Sequence, residues 1–158
     1  MDYQCPGQQE QLLRKAKLKA LHLLERMDRT EAQLREKLLA VEFEQEIVEQ
    51  AIVYVKSFGY LDDERYVRNY IEYRSHQKSR RQLEQELQFR KGVSSELIQK
   101  VYEELEPTDE KELIRRYLEK KHYCSEVCDE KQKQRLIASL ARKGFRIGDI
   151  LTVMKEEL

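Results

Sequence analysis

Basic side chains recur in this chain in a fixed setting. Lys78, Arg80, Arg81, Arg90 and Lys91 surround the leucine pair Leu83 and Leu87. Lys131, Lys133, Arg135, Arg142, Lys143 and Arg146 surround a second pair, Leu136 and Leu140. These cations outnumber Glu84 and Glu86 in the first cluster and Asp129 and Glu130 in the second. Their chemistry would be recognition of a polyanion by charge, with no bond made or broken. The segments before and after the first cluster are acidic: Glu42, Glu44, Glu46 and Glu49 precede it, and Glu103, Glu104, Glu106, Asp109, Glu110 and Glu112 follow it. The sign of charge therefore alternates along the chain. The formal net charge is zero, which argues against strong binding of DNA by bulk charge. The competing reading of each cluster is a solvated helix face of mixed charge.

Other reactive residues make no catalytic constellation. His22, His76 and His122 are scattered, and none joins a nucleophile–base motif. His122, Cys124 and Cys128 fall one ligand short of a closed tetrahedral zinc site and lack the paired C-x-x-C spacing, so this stretch reads as a loop carrying two thiols. With Cys5 they do not form a disulfide framework. Asp62, Asp63 and Glu64 suit the start of a helix, where the dipole favours negative charge. There is no P-loop and no dinucleotide-binding glycine pattern; Gly59, Gly92, Gly144 and Gly148 stand at junctions. The residues describe a binding protein without metal or cofactor, not an enzyme.

Helices must position the cations, and they recur. Leu34 and Leu38 stand 49 residues before Leu83 and Leu87, which stand 53 before Leu136 and Leu140. Ten residues after each second leucine comes Val48, Leu97 or Ile150, and four further on Ile52, Val101 or Met154. With 158 residues, 38% charged, only five Gly and two Pro, the chain should be helical throughout. Thr30-Glu31-Ala32-Gln33 and Ser79-Arg80-Arg81-Gln82 have the form of capping boxes. Gly92 and Gly144 end the second helices of their repeats, and Pro107 ends a third helix. The first repeat has Val41-Glu42 where the others have Lys-Gly, so its second helix must end without glycine at a cost on the order of 1 kcal/mol.

The expected fold is all-α: three tandem three-helix repeats in an elongated, curved array, spanning 12–58, 59–106 and 107–158 after a disordered tail, 1–11. Units of this size need to share apolar surface, and Phe58, Tyr60 and Leu61 are placed to staple the first to the second. The buried faces should include Leu18, Leu21, Leu24 and Leu13 in the first helix, and Leu83, Leu87 and Phe89 in the fifth. Tyr70 and Tyr117 occupy equivalent places and read as packing residues. No apolar run approaches the roughly 20 residues needed to span a membrane, and the N-terminus lacks the apolar core of a signal peptide; the expectation is a soluble, cytoplasmic protein.

The stretch Phe58-Gly59-Tyr60-Leu61-Asp62-Asp63-Glu64-Arg65-Tyr66, followed by Lys78-Ser79-Arg80-Arg81, Glu86-Leu87 and Arg90-Lys91-Gly92-Val93, resembles the signature of the bacterial RecX regulatory proteins. Leu23-Leu24-Glu25-Arg26 and Arg29-Thr30-Glu31-Ala32-Gln33-Leu34 resemble that family's opening unit. The resemblance covers roughly residues 16 to 156. It implies a modulator of the RecA recombinase, lying in the groove of the filament that RecA forms on single-stranded DNA. There it would hinder filament extension, ATPase, strand exchange and co-protease function by occupancy, as a monomer with at most weak affinity for free single- or double-stranded DNA. The candidate contact residues are Arg65, Arg68, Arg74, Lys78, Arg80, Arg81, Arg90 and Lys91, with Arg142, Lys143 and Arg146. The residues themselves also allow a DNA-binding helix-turn-helix-like module or a helical scaffold for another protein.

Overall fold

Polar caps and left-handed turns punctuate this sequence into helices. The computed structural model describes residues 6–156, and among these all regular structure is helical. The order is α1 (Pro6–Arg26), α2 (Glu31–Ala40), α3 (Gln45–Ser57), α4 (Asp63–Arg74), α5 (Arg80–Gln85), a single π-helical turn (Glu86–Arg90), α6 (Ser95–Glu104), α7 (Glu110–Lys120), α8 (Glu130–Arg142) and α9 (Ile147–Glu156). Three three-helix repeats follow: α1–α3, α4–α6 and α7–α9.

The side chains of Thr30, Ser79, Asp109 and Asp129 accept from the amides of Gln33, Gln82, Glu112 and Gln132. Full capping boxes form at Thr30 and Asp129. At the other ends the chain enters the left-handed region. Gly59, Gly92 and Gly144 have φ of 75°, 71° and 95°, and Glu42 and His122 take φ of 69° and 55°. Glu42 thus supplies without glycine the conformation that Gly92 and Gly144 supply in the later repeats. In the last repeat the Gly144 amide donates to Ala141 and the Phe145 amide to Leu140, at 3.0 and 3.2 Å, which satisfies two terminal carbonyls.

The helices pack into two compact units. The first comprises the chain up to Asn69 with Leu87–Val101, and the second comprises Tyr70–Glu86 with the chain from Tyr102. The division runs through the middle repeat. The first unit buries Ala16, Ala20, Leu23, Leu34, Leu38, Val48, Ala51, Ile52 and Val55 in one cluster. The second buries Leu113, Ile114, Leu118, Leu140, Phe145, Ile150, Val153 and Met154.

Several sequence expectations need correction. Residues 6–11 belong to α1, so the tail expected to be disordered over 1–11 is helical from Pro6; proline is compatible with a first helical turn, where no intrahelical donor is required. Met1 to Cys5 lie outside the described residues. Leu18 is 61% exposed, because α1 turns Ala16, Ala20 and Leu23 inward and Leu18 lies about half a turn away. Phe58 and Tyr60 are exposed as well. Their rings stack 6.1 Å apart, and Tyr54 meets Phe58 edge-on at 5.0 Å, so Leu61 alone of the expected staple is buried. Ser79 caps its helix without completing a capping box.

Leu97 is displaced from its expected buried place by the π turn. One extra residue is accommodated between the second helix and the turn that ends it: the Val93 amide reaches back six residues to Leu87, where the Phe145 amide reaches back five to Leu140. Ile98 rather than Leu97 consequently takes the buried place held by Val48 and Ile150, whereas Phe89 is 77% exposed because it lies about half a turn from the buried Leu87, as Ala40 and Arg142 lie from Leu38 and Leu140. A π turn is an insertion that a period count across the helix does not register.

Candidate partner-binding surface

The basic helices are positioned by a device that occurs twice. In the first unit the Thr30 hydroxyl, fully buried, donates to the Lys91 carbonyl at 2.6 Å, and the next amide, Glu31, donates to the Asp63 carboxylate at 2.8 Å. In the second unit the Ser79 hydroxyl, also buried, donates to the Lys143 carbonyl at 2.5 Å, and the Arg80 amide donates to the Glu110 carboxylate at 2.7 Å. Each latch ties the cap of one repeat's second helix to the Lys-Gly turn and to the opening helix of the next repeat. Each glycine then lies against the same helix start: a Cβ on Gly92 would come 2.6 Å from the Ala32 Cβ, and one on Gly144 would come 2.5 Å from the Ser79 hydroxyl and 3.2 Å from the Arg81 Cβ.

The two latches differ in charge. The first carries Glu31 and Ala32 where the second carries Arg80 and Arg81. Around the second lie Arg81, Arg142, Lys143 and Arg146, all exposed, with no ion pair to a described carboxylate. Arg142 donates only to its own helix, at the Ala138 carbonyl, and Lys143 sits 4.3 Å over the Tyr117 ring. Arg81 stands against the Gly144 turn, and Arg142, Lys143 and Arg146 flank that turn in sequence, so cations cluster at the second latch. In the first unit Arg90 is exposed and unpaired among the described residues, next to Lys91, whose carbonyl the first latch holds.

The remaining predicted residues are engaged within the protein. Arg65 donates to the Gly59 carbonyl at 3.0 Å and Arg68 to Glu64 at 3.4 Å. Arg74 lies 3.8 Å over the Tyr70 ring. Lys78 pairs with Glu86 at 2.6 Å, and Arg80 pairs with Glu84 at 2.7 Å while its guanidinium covers Tyr102 at 4.3 Å. Glu86 is the feature that pattern reading missed. It is a buried carboxylate, 8% exposed, that also accepts the Tyr70 hydroxyl at 2.7 Å. Lys78 is therefore the counterion that makes this burial tolerable. The equivalent Tyr117 bonds Ser139 at 2.7 Å, so both tyrosines are packing residues with a satisfied hydroxyl. The visible signal for the latches was a hydroxyl residue, Thr30 or Ser79, at the same place in two repeats; the third has Asp129 there.

The acidic side of the first latch carries a pH dependence. Arg35 bridges Glu49 at 2.6 Å and Glu31 at 3.0 Å, and Lys56 reaches Glu31 at 3.1 Å. Burial works to raise the Glu31 carboxyl, but the bonds from Lys56 and Arg35 outweigh it and hold it below its ordinary value. Arg35 likewise holds Glu49 down. Depressed carboxyls contribute stability that is complete above the unfolded value of 4.5 and lost as pH falls through the lower folded value. Asp63 runs the other way, since desolvation raises its carboxyl. Thermal melts of Glu31→Gln between about pH 5 and pH 3 should therefore show a shallower acid loss than the parent; an identical slope would mean the network contributes nothing.

Among the described residues no group of three or more His, Cys, Asp or Glu is placed to hold a metal ion, and no helix is long and apolar enough to cross a membrane. Comparison with known proteins matches each repeat in turn. The family models described as the first, second and third three-helix domains of RecX match residues 16–54, 62–101 and 109–154. The regulatory protein RecX of Caldanaerobacter subterraneus is 34% identical over 87% of this chain and 68% of its own. That of Trichlorobacter lovleyi is 38% identical over 89% of this chain and 93% of its own. Against the RecX of Clostridium perfringens strain 13 the identity is 31%, and the matched region spans 63% of that protein, just under two thirds. The crystal structure of RecX from Lactobacillus salivarius superposes with a TM-score of 0.80, covering 93% of this chain and 97% of that one at 19% identity, and so shares the fold. Three consecutive domain matches over an all-helical chain of three latched repeats leave one assignment: the chain belongs to the RecX family of regulatory proteins.

Proposed function

We propose that this chain is a negative regulator of RecA that binds the RecA–single-stranded-DNA filament in the cytoplasm and hinders its extension, ATPase, strand exchange and co-protease activities. The observation that carries the reading is the match of all three repeats, in order, to the RecX domains. The mechanism is occupancy without chemistry of its own. Three repeat units, 12–58, 59–106 and 107–158, act as a monomer, and several weak contacts held on one chain gain from effective concentration. Arg81 and Arg146, which pair with no described carboxylate, support a contact edge on the second unit together with Arg142 and Lys143, held only by the Ala138 carbonyl and the Tyr117 ring; Arg90 supports a smaller one on the first. With zero net charge, binding to free DNA is weak and falls steeply with salt.

The test is RecA's single-stranded-DNA-dependent ATPase, titrated with this protein at two salt concentrations. Inhibition well below one molecule per RecA is expected. Absence of any effect on DNA-saturated RecA would move the reading to a DNA-binding module or a scaffold for another partner. Replacing Arg80 and Arg81 by Glu together should raise the half-inhibitory concentration about tenfold, the equivalent of roughly 1.4 kcal/mol, with helical circular dichroism unchanged. Arg81→Glu alone should account for most of it, because Arg80 is already held by Glu84. Undiminished inhibition by the double variant would remove both residues from the surface.

A further inference from the structure

The segment between α7 and α8 carries two thiols that the regulatory reading leaves unused. Cys124 is exposed and Cys128 half-buried, and both are free. The Cys124 carbonyl accepts from the amides of both Val127, at 3.2 Å, and Cys128, at 2.9 Å. These two bonds close a single helix-like turn, isolated between the end of α7 at Lys120 and the cap of α8 at Asp129. Residues four apart in such a turn lie on the same face, with Cα atoms about 6 Å apart. That separation lies within the range a disulfide bridges, roughly 4.4 to 6.8 Å. Inside a long helix the neighbouring turns would fix both side chains. Here the turn stands alone, with no helical turn continuing it on either side, so only the two bonds to the Cys124 carbonyl need give way for the Cβ atoms to close from about 5–6 Å to the roughly 3.5–4.5 Å of a disulfide.

We infer that Cys124 and Cys128 form a reversible dithiol–disulfide site that reacts with low-molecular-weight disulfides of the glutathione type. The thiolate of the exposed Cys124 attacks one sulfur of the small disulfide, and one small thiol leaves with a proton. The Cys128 thiolate then attacks the Cys124 sulfur of the mixed disulfide and expels the second small thiol. Two protein thiols have lost two electrons and two protons, and one small disulfide has become two thiols. A small thiol in excess reverses both steps. Exposed, short-range disulfides belong to the labile, regulatory kind rather than to the structural one. In a protein of a reducing compartment a pair of this kind is redox-sensing.

The test uses the full chain with Cys5→Ser, which leaves two of the three cysteines. The protein is incubated with oxidised glutathione and analysed by intact mass and thiol titration. The expected product is a monomer lighter by about 2 Da, with both thiols lost and no retained glutathione, restored by dithiothreitol. Cys128→Ser in the same background should stop at a stable mixed disulfide on Cys124, with the mass of one glutathione added. Two retained glutathiones, a disulfide-linked dimer, or two unreacted thiols under conditions that oxidise a model dithiol peptide would each overturn the inference.

Discussion

Gly144→Ala is expected to lower the unfolding free energy by about 3 kcal/mol, summing a left-handed backbone penalty of about 1–2 and overpacking of about 1–3. The methyl would meet the Ser79 hydroxyl at 2.5 Å, the Arg81 Cβ at 3.2 Å and the Gln82 amide nitrogen at 3.3 Å. None of these can move away cheaply. The hydroxyl is held by the Lys143 carbonyl and the Gln82 amide, and the other two belong to the first turn of α5. The other glycines separate the two contributions. Gly59 has φ of 75° but open space around it, so Gly59→Ala should cost only the backbone term, about 1 kcal/mol. Gly148 lies in α9 with open space and no positive φ, so Gly148→Ala should stabilise by roughly 0.5–1 kcal/mol. Urea unfolding of the three variants gives the order. Equal losses at 144 and 59 would show that the close approach to Ser79 is not tight.

Thr30→Val should cost about 2 kcal/mol, combining a lost N-cap of about 1 with an unsatisfied carbonyl of about 1–3 in the half-buried Lys91 turn. Valine keeps the shape of threonine, so packing is conserved and only the hydroxyl's two bonds go: acceptance from the Gln33 amide at 3.2 Å and donation to Lys91 at 2.6 Å. Thr30→Ser keeps both bonds and should remain within about 1 kcal/mol of the parent, the scale of one lost buried methyl. Ser79→Ala removes the same pair of bonds from the second latch and should behave like Thr30→Val. If valine and serine at position 30 unfold at the same urea concentration, the latch does not hold the repeats' contact in place.

Much of the site's framework was legible because it depends on local rules. A hydroxyl three residues before a free amide makes a cap wherever the chain goes, so Thr30 and Ser79 could be identified without coordinates, while the cap at Asp129 is known only from the structure. Glycine after lysine marks a left-handed helix end for the same reason, and Glu42 in that place announced its own strain. The eleven candidate cations were a different matter. Whether an arginine is available depends on which carboxylates and rings come near it, and pattern cannot supply that. Arg81, Arg90 and Arg146 remain open among the described residues, Arg142 and Lys143 are held only by the Ala138 carbonyl and the Tyr117 ring, and Lys78 is committed to Glu86 and Arg80 to Glu84.

The sequence by itself determined the helices, their caps, the threefold recurrence and the family, since each rests on residue type at fixed short spacing. Tertiary structure alone decided three further things. It placed the Thr30 and Ser79 hydroxyls on carbonyls 61 and 64 residues away. It buried Glu86, whose charge is tolerable only beside Lys78 and Tyr70. It inserted a π turn that exchanges Leu97 for Ile98 in the core. Hydrogen bonds at long sequence separation and the burial of a charge depend on which surfaces meet, and one-dimensional spacing carries no record of that meeting.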